Sequence, residues 1–259
     1  MNRLIAYGCS WTLGEGCDSE IENKLFDSEL VEFRNIHSWP NLLANKLNIN
    51  KSINNGVSGN SNINIFNKIV RDIESSKITQ SDFVCIMFSS SLRDRVPFLP
   101  EGEWISNSVK HLLQSPDNFY NSYNTVGDSI KFNKFLTDYK KFFVTNLFTN
   151  DYYNIVNQNY IIFLQKLLNE YNIKYLMLES FESMINYPLV NNYMNLIDID
   201  IIYGNLKKTM RDVLNEYNDA GIWETPQDYD LHATQHPNKY GYELISNNMY
   251  DFIKSNNII

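Results

Sequence analysis

The stretch Asp82-Phe83-Val84-Cys85-Ile86-Met87-Phe88, followed by Ser89-Ser90-Ser91, decides the fold. Behind one acid stand six apolar residues in a row, so neither face of a strand here would be polar. A strand of that kind belongs in a parallel sheet covered by helices on both sides. Leu4-Ile5-Ala6-Tyr7 has the same character and stops at Gly8-Cys9-Ser10. Ser52 to Val57 is a weaker strand that ends in the turn Ser58-Gly59-Asn60-Ser61, and Lys174–Leu178 is a fourth strand. Between these runs the apolar spacing turns helical. Ser38-Trp39-Pro40 opens a helix with Ser38 as N-cap and Leu42, Leu43 and Leu47 on its apolar face. Ile63, Phe66, Ile69, Val70 and Ile73 mark a second helix, and Asp151–Tyr171 a long third one. Ile201–Tyr217 also reads as helical, and Tyr240–Ile253 closes the chain with Leu244, Ile245, Met249 and Phe252 in register.

Alternating strands and helices predict one α/β domain over residues 1–259 with a mostly parallel sheet. Residues 17–37 are polar and irregular, and no element is expected there. Residues 97–150 interrupt the alternation, with helices expected near Ser106–Leu113 and Phe132–Phe148. The pattern resumes afterwards, so this segment reads as an insertion. It leaves the sheet at the Ser89–Ser91 strand end, which predicts a lid or pocket wall.

Composition removes several function classes. The 259 residues carry a net charge of −8, and no basic run exceeds Lys-Lys. A nucleic-acid binder needs a phosphate-neutralising patch, so nucleic acid is not an expected partner. No apolar run approaches the roughly 20 residues of a membrane span. The apolar stretch at the N-terminus is too short for a signal-peptide core, so the expected location is cytoplasmic, with no membrane partner. Cys9, Cys17 and Cys85 are odd in number and lack metal-ligand spacing, so neither a disulfide framework nor a metal site is expected. The 37 Asn residues are scattered, which reads as compositional bias rather than a prion-like tract.

In open parallel sheets, ligands sit beyond the carboxyl ends of the strands. The turns expected there hold Ser10, Gly56, Gly59, Ser89, Ser90 and Ser91, and the late loop adds His232 and His236. A serine after a strand, a remote histidine and inward-pointing amides are the parts of nucleophilic acyl transfer. Each part also has a plainer reading. Ser10 is equally a turn-forming serine, and Cys9 is either a nucleophile or a buried thiol, the second being favoured. His236-Pro237-Asn238 equally opens the last helix with Asn238 as its cap, and Gly56 and Gly59 equally serve turns that need positive φ.

Taken together and in order, Gly8-Cys9-Ser10-Trp11, Asn55-Gly56-Val57-Ser58-Gly59-Asn60-Ser61, the serine-rich strand end and His236-Pro237-Asn238-Lys239-Tyr240-Gly241 resemble the SGNH (GDSL-type) hydrolases. The resemblance implies a three-layer α/β/α fold with a flavodoxin-like sheet, and ester hydrolysis with no cofactor and no metal. It implies Ser10 as nucleophile, His236 as base, and an oxyanion hole from the Ser10 and Gly59 amides. Two positions depart from the family pattern. The third-block Asn is replaced by serines, which assigns its donor role to Ser89. The acid normally two or three residues before the histidine is replaced by Ala233 and Thr234, so either Asp230 folds back as the orienter of His236 or His236 works without an acid. Trp11, Asn60, Ser90 and Arg93 flank these positions and are the expected substrate contacts.

The function implied is removal of an acyl group, O-acetyl first, from a carbohydrate or other small hydroxylated substrate. Two alternatives remain at this point. One is acyl transfer to a glycan hydroxyl through the same Ser–His site. The other is a binding or structural module that kept the fold without efficient chemistry.

Overall fold

The structure, a computed structural model, describes residues 1–18, 27–90, 93–97, 104–108, 150–181, 195–217 and 236–259. Its strands are β1 (Arg3–Gly8), β2 (Ser52–Gly56), β3 (Asp82–Phe88), β4 (Arg93–Pro97), β5 (Trp104–Ser108) and β6 (Lys174–Glu179). Its helices are α1 (Ser10–Leu13), α2 (Asp27–His37), α3 (Trp39–Lys46), α4 (Asn62–Glu74), α5 (Asn150–Glu170), α6 (Met210–Asn215) and α7 (Lys239–Ser255). Four strands form one sheet in the order β2-β1-β3-β6, every pair parallel. A parallel bridge between Met177 and Ile202 extends pairing one step beyond β6.

Side chains alternate across a strand, and here both sets are buried. Leu4 and Ala6 of β1, Phe83, Cys85 and Met87 of β3, and Leu176 and Leu178 of β6 enter one core. That core is closed by Trp39 and Leu43 of α3, Val213 and Leu214 of α6, and Tyr242, Ile245 and Met249 of α7. The residues between them, Ile5, Tyr7, Val84, Ile86, Phe88, Tyr175 and Met177, face a second core under α4 and α5. The result is three layers, α/β/α, around a mostly parallel sheet with flavodoxin-like strand order. Burial of the Cys85 thiol within β3 raises its pKa, and burial first, then the nearby Asp18 charge, pushes the Cys17 thiol up to about 12. Such thiols behave as packing groups.

Four local expectations change. The segment 17–37 does contain a helix, α2. Its pattern hides because Val31 and Ile36 are exposed while Phe33 packs on the core, so apolar residues fall on both faces. Ser38 holds the N-cap position of α3, but its Oγ donates back to Asn35 O and makes no side-chain cap. The single helix expected over Ile201–Tyr217 is broken, because Gly204 and Asn205 take φ of 69° and 51° within a 3₁₀ turn, and α6 starts only at Met210. Left-handed residues cannot continue an α-helix. Thr209 then opens α6 with a capping box, its Oγ1 accepting from Asp212 N while its own N–H donates to Asp212 Oδ2. Finally, Trp104–Ser108 is a strand paired antiparallel to β4, so the helix expected near Ser106–Leu113 does not begin at Ser106. The rest of the 97–150 insertion lies outside the described residues, as does its expected place as a lid.

Candidate active site

The chain leaves β1 toward the α3 face and leaves β3 toward the α5 face. Strand order therefore reverses between β1 and β3, and α/β sheets bind ligands at the carboxyl ends of such a pair. Ser10 follows β1, Gly59 follows the neighbouring β2, and Ser89 follows β3.

Ser10 begins the four-residue α1, which lies directly across two strand ends. A Cβ on Gly8 would meet Thr12 Oγ1 at 2.0 Å, and one on Gly56 would meet Leu13 N at 2.2 Å. These two glycines are needed for close approach. Gly56 is not in the positive-φ region expected of it, whereas Gly59 is, with φ +64° and open space where a side chain would stand. Asparagine amides fix the turns to one another. Asn60 Nδ2 donates to Gly8 O (3.1 Å), and Asn54 Nδ2 donates to Thr12 O (2.7 Å) while its Oδ1 accepts from Gly56 N (2.9 Å). Asn62 accepts from Ser89 N (2.7 Å) and donates to Ser89 O (3.0 Å) and Asn157 Oδ1 (2.6 Å). Asn54 and Asn62 carry no motif of their own, so the sequence gives no signal for these roles.

Ser10 and Ser89 are both 3% exposed. The Ser89 hydroxyl is buried and has no hydrogen-bond partner among the described residues. His236 is also buried, just before Asn238, whose Oδ1 accepts from Tyr240 N and Gly241 N and caps α7. The capping reading of Asn238 and the site reading of His236 are thus compatible. His236 Nε2 lies 3.3 Å from Glu15 Oε2, a residue the sequence reading passed over. Glu15 N–H donates to Ser10 O (3.1 Å), and Tyr242 OH donates to Glu15 O (2.7 Å). Behind this turn, Arg34 Nε donates to the buried Asp18 (2.6 Å). Burial works against the Arg34 charge, but the Asp18 hydrogen bond and the charges of Asp18 and Glu15 outweigh it and raise its pKa.

Trp11 differs from expectation. It is 0% exposed and packs edge-on against Phe181, with ring centroids 4.8 Å apart, so it is a core side chain rather than a substrate contact. Asn60 is occupied in holding Gly8, and Ser90 is half-buried beside Ser89. Arg93 lies in β4, but its side chain lies outside the described residues, and so does Asp230. A cavity of about 430 Å³ opens next to Gly8, Gly56 and Asn60 and reaches Lys68 and Arg71 on α4. Among the described residues there is no cluster of three His, Cys, Asp or Glu side chains that could hold a metal ion. No described helix is long and apolar enough to cross a membrane.

A family profile matches residues 19–254. The chain belongs to DUF6071, a family of unknown function. No curated protein matches this DUF6071 chain. Among solved structures it is similar to a protein assigned to the lipolytic G-D-S-L family from Desulfitobacterium hafniense, at 11% identity and TM-score 0.46, covering 97% of this chain and 99% of that one. It is also similar to an acetyl-xylooligosaccharide esterase from Geobacillus, at 12% identity and TM-score 0.46, covering 97% and 94%. A carbohydrate acetylesterase family member from Sinorhizobium meliloti is similar at 10% identity and TM-score 0.42, covering 99% of each chain.

Proposed function

We propose that this DUF6071 protein is a serine esterase of SGNH type that removes an acyl group, first of all O-acetyl, from a carbohydrate or other small hydroxylated substrate. The observation that carries the reading is the buried Ser89 hydroxyl at one strand end, without a hydrogen-bond partner among the described residues, with Ser10 at the end of the adjacent strand. A buried hydroxyl without a partner costs about 1–3 kcal/mol, a cost that an arriving acceptor would offset. An oxyanion is such an acceptor.

In this reading Ser10 Oγ attacks the acyl carbon and His236 takes its proton. The Ser10 and Gly59 amides and the Ser89 hydroxyl hold the oxyanion. His236 then returns the proton to the leaving alcohol, and water repeats the sequence on the acyl-enzyme. The same reading takes Ser90 and Arg93 as substrate contacts.

Labelling with a fluorophosphonate probe tests the nucleophile. The wild type should label at Ser10, and Ser10→Ala and His236→Ala should not. Folded wild type that stays unlabelled overturns the proposal. Acetate release from acetylated sugars, with and without a glycan acceptor, then separates hydrolysis from acyl transfer.

A further inference from the structure

We propose that Glu15 is the carboxylate that orients His236, an inference that rests on the esterase reading above. The turn that supplies the nucleophile then also supplies the partner of the base. The contact is Nε2 to Oε2 at 3.3 Å, between a His236 side chain 9% exposed and a Glu15 side chain 21% exposed. Glu15 has little freedom to leave. Its N–H is tied to Ser10 O at 3.1 Å, and its carbonyl accepts from Tyr242 OH at 2.7 Å. Tyr242 is fully buried in α7, six residues after His236, so one helix fixes both the histidine and the backbone of its partner. The Asn238 cap sets where the chain carrying His236 enters that helix.

The chemistry follows from the ring. A neutral imidazole that donates through one nitrogen keeps its lone pair on the other. In this assignment Nε2–H donates to Glu15, and the lone pair on Nδ1 is the one that serves Ser10. Nδ1 takes the Ser10 Oγ proton as the Oγ–acyl carbon bond forms and the carbonyl electron pair moves to oxygen. The imidazolium so formed faces the Glu15 charge. The same proton then passes from Nδ1 to the leaving alkoxide as the carbon–oxygen ester bond breaks. Water next gives its proton to Nδ1 while attacking the acyl carbon, and that proton returns to Ser10 Oγ as the acid departs. Glu15 exchanges no proton in these steps and acts on the reaction through the ring, which makes it a positioning residue.

Glu15→Gln removes the charge but keeps the side-chain length and both backbone bonds, so it should fold. Its labelling rate at Ser10 with the fluorophosphonate should fall by about 10²- to 10⁴-fold, the range expected when a triad loses its acid. Glu15→Asp should recover part of that rate. Nitrogen-15 NMR of the His236 ring supplies a readout that a merely structural role would not move. The proton should sit on Nε2 in the neutral wild type, and the preference should be lost in Glu15→Gln. Glu15→Gln that labels at the wild-type rate, or a neutral wild type that carries its ring proton on Nδ1, overturns this assignment while Ser10 labelling leaves the esterase reading standing. Wild type that never labels overturns the esterase reading itself, and Glu15's part in it, whatever the tautomer.

Discussion

Two polar clusters, one at each edge of the sheet, differ in how their groups are paired. At the amino edge, Asp82 at the start of β3 is fully buried and fully paired. It accepts from Arg3 Nε (2.8 Å) and Nη2 (2.6 Å), and from Thr79 N (2.8 Å) and Oγ1 (3.0 Å). At the carboxyl edge, the hydroxyls of Thr12, Ser61 and Ser89 are buried without a hydrogen-bond partner among the described residues. Each such group costs about 1–3 kcal/mol, and buried polar groups in folded proteins are normally satisfied. The Arg3–Asp82–Thr79 cluster at the amino edge therefore serves cohesion, even though Ser52 Oγ at the start of β2 is also buried without a partner among the described residues. The carboxyl edge gathers three such hydroxyls around the strand ends. The same division separates predicted effects on stability from predicted effects on rate.

The largest effect should come from Ser10→Ala. Ester turnover should drop by about 10⁴-fold or more, as expected when a catalytic serine is removed. Thermal melting should stay close to wild type, since Gly14 N–H and Glu15 N–H both donate to the Ser10 backbone carbonyl, which the substitution keeps. A Ser10→Ala protein that keeps its turnover would collapse the contrast between the edges. Next in size is Ser89→Ala, which should lower turnover by about 10²- to 10³-fold, the worth of one oxyanion donor. Its melting temperature should not fall, because the hydroxyl removed has no hydrogen-bond partner among the described residues. Lost stability with unchanged rate would make Ser89 an ordinary core residue.

Sequence reading reached the fold because β1, β3 and β6 are dense apolar runs, and their alternate residues feed two separate cores. It placed Ser10, Gly59 and Ser89 at strand ends for the same reason. It missed what depends on contact across the chain. Asn54 and Asn62 lie within a general excess of asparagine and Asn60 reads as a substrate contact, yet all three are amides that join the turns. Glu15 carries no spacing signal, because its partner His236 is remote in sequence and is reached only when α7 packs behind α1. Gly56 was read for its conformation when its role is space for α1. Trp11 stands in a motif position, but tertiary packing sends its ring into the core.

Asp82→Asn tests the amino edge. The change leaves the Arg3 guanidinium without its charged partner, and Arg3 is only 29% exposed. Breaking a fully buried pair costs about 3–5 kcal/mol, and partial exposure of one partner reduces this to about 2–3 kcal/mol. Chemical denaturation should report that loss, while specific activity per folded molecule should match wild type. A large fall in turnover at full stability would show the two edges to be coupled.

The smallest effect is a pair of pH windows in wild-type stability. Burial alone would raise the Asp82 pKa, but the hydrogen bonds from Arg3 and Thr79 outweigh it and leave it below the ordinary 3.8. A carboxylate with a depressed folded pKa contributes stability above its unfolded value, and the contribution is lost as pH falls through the folded one. The Asp82 window therefore opens near pH 3.8 and extends downward. His37 acts earlier. Burial, then the Lys239 charge, holds its pKa below the ordinary 6.5, so the unfolded chain binds a proton that the folded chain resists. Stability due to His37 is present above pH 6.5 and declines as pH falls below it. Denaturation midpoints measured from pH 7 to pH 3 should thus decline in two stages. His37→Asn should flatten only the upper stage and Asp82→Asn only the lower. A lower stage that survives Asp82→Asn would mean that some other carboxylate, rather than the Arg3–Asp82 pair, governs the acid limit of the amino edge.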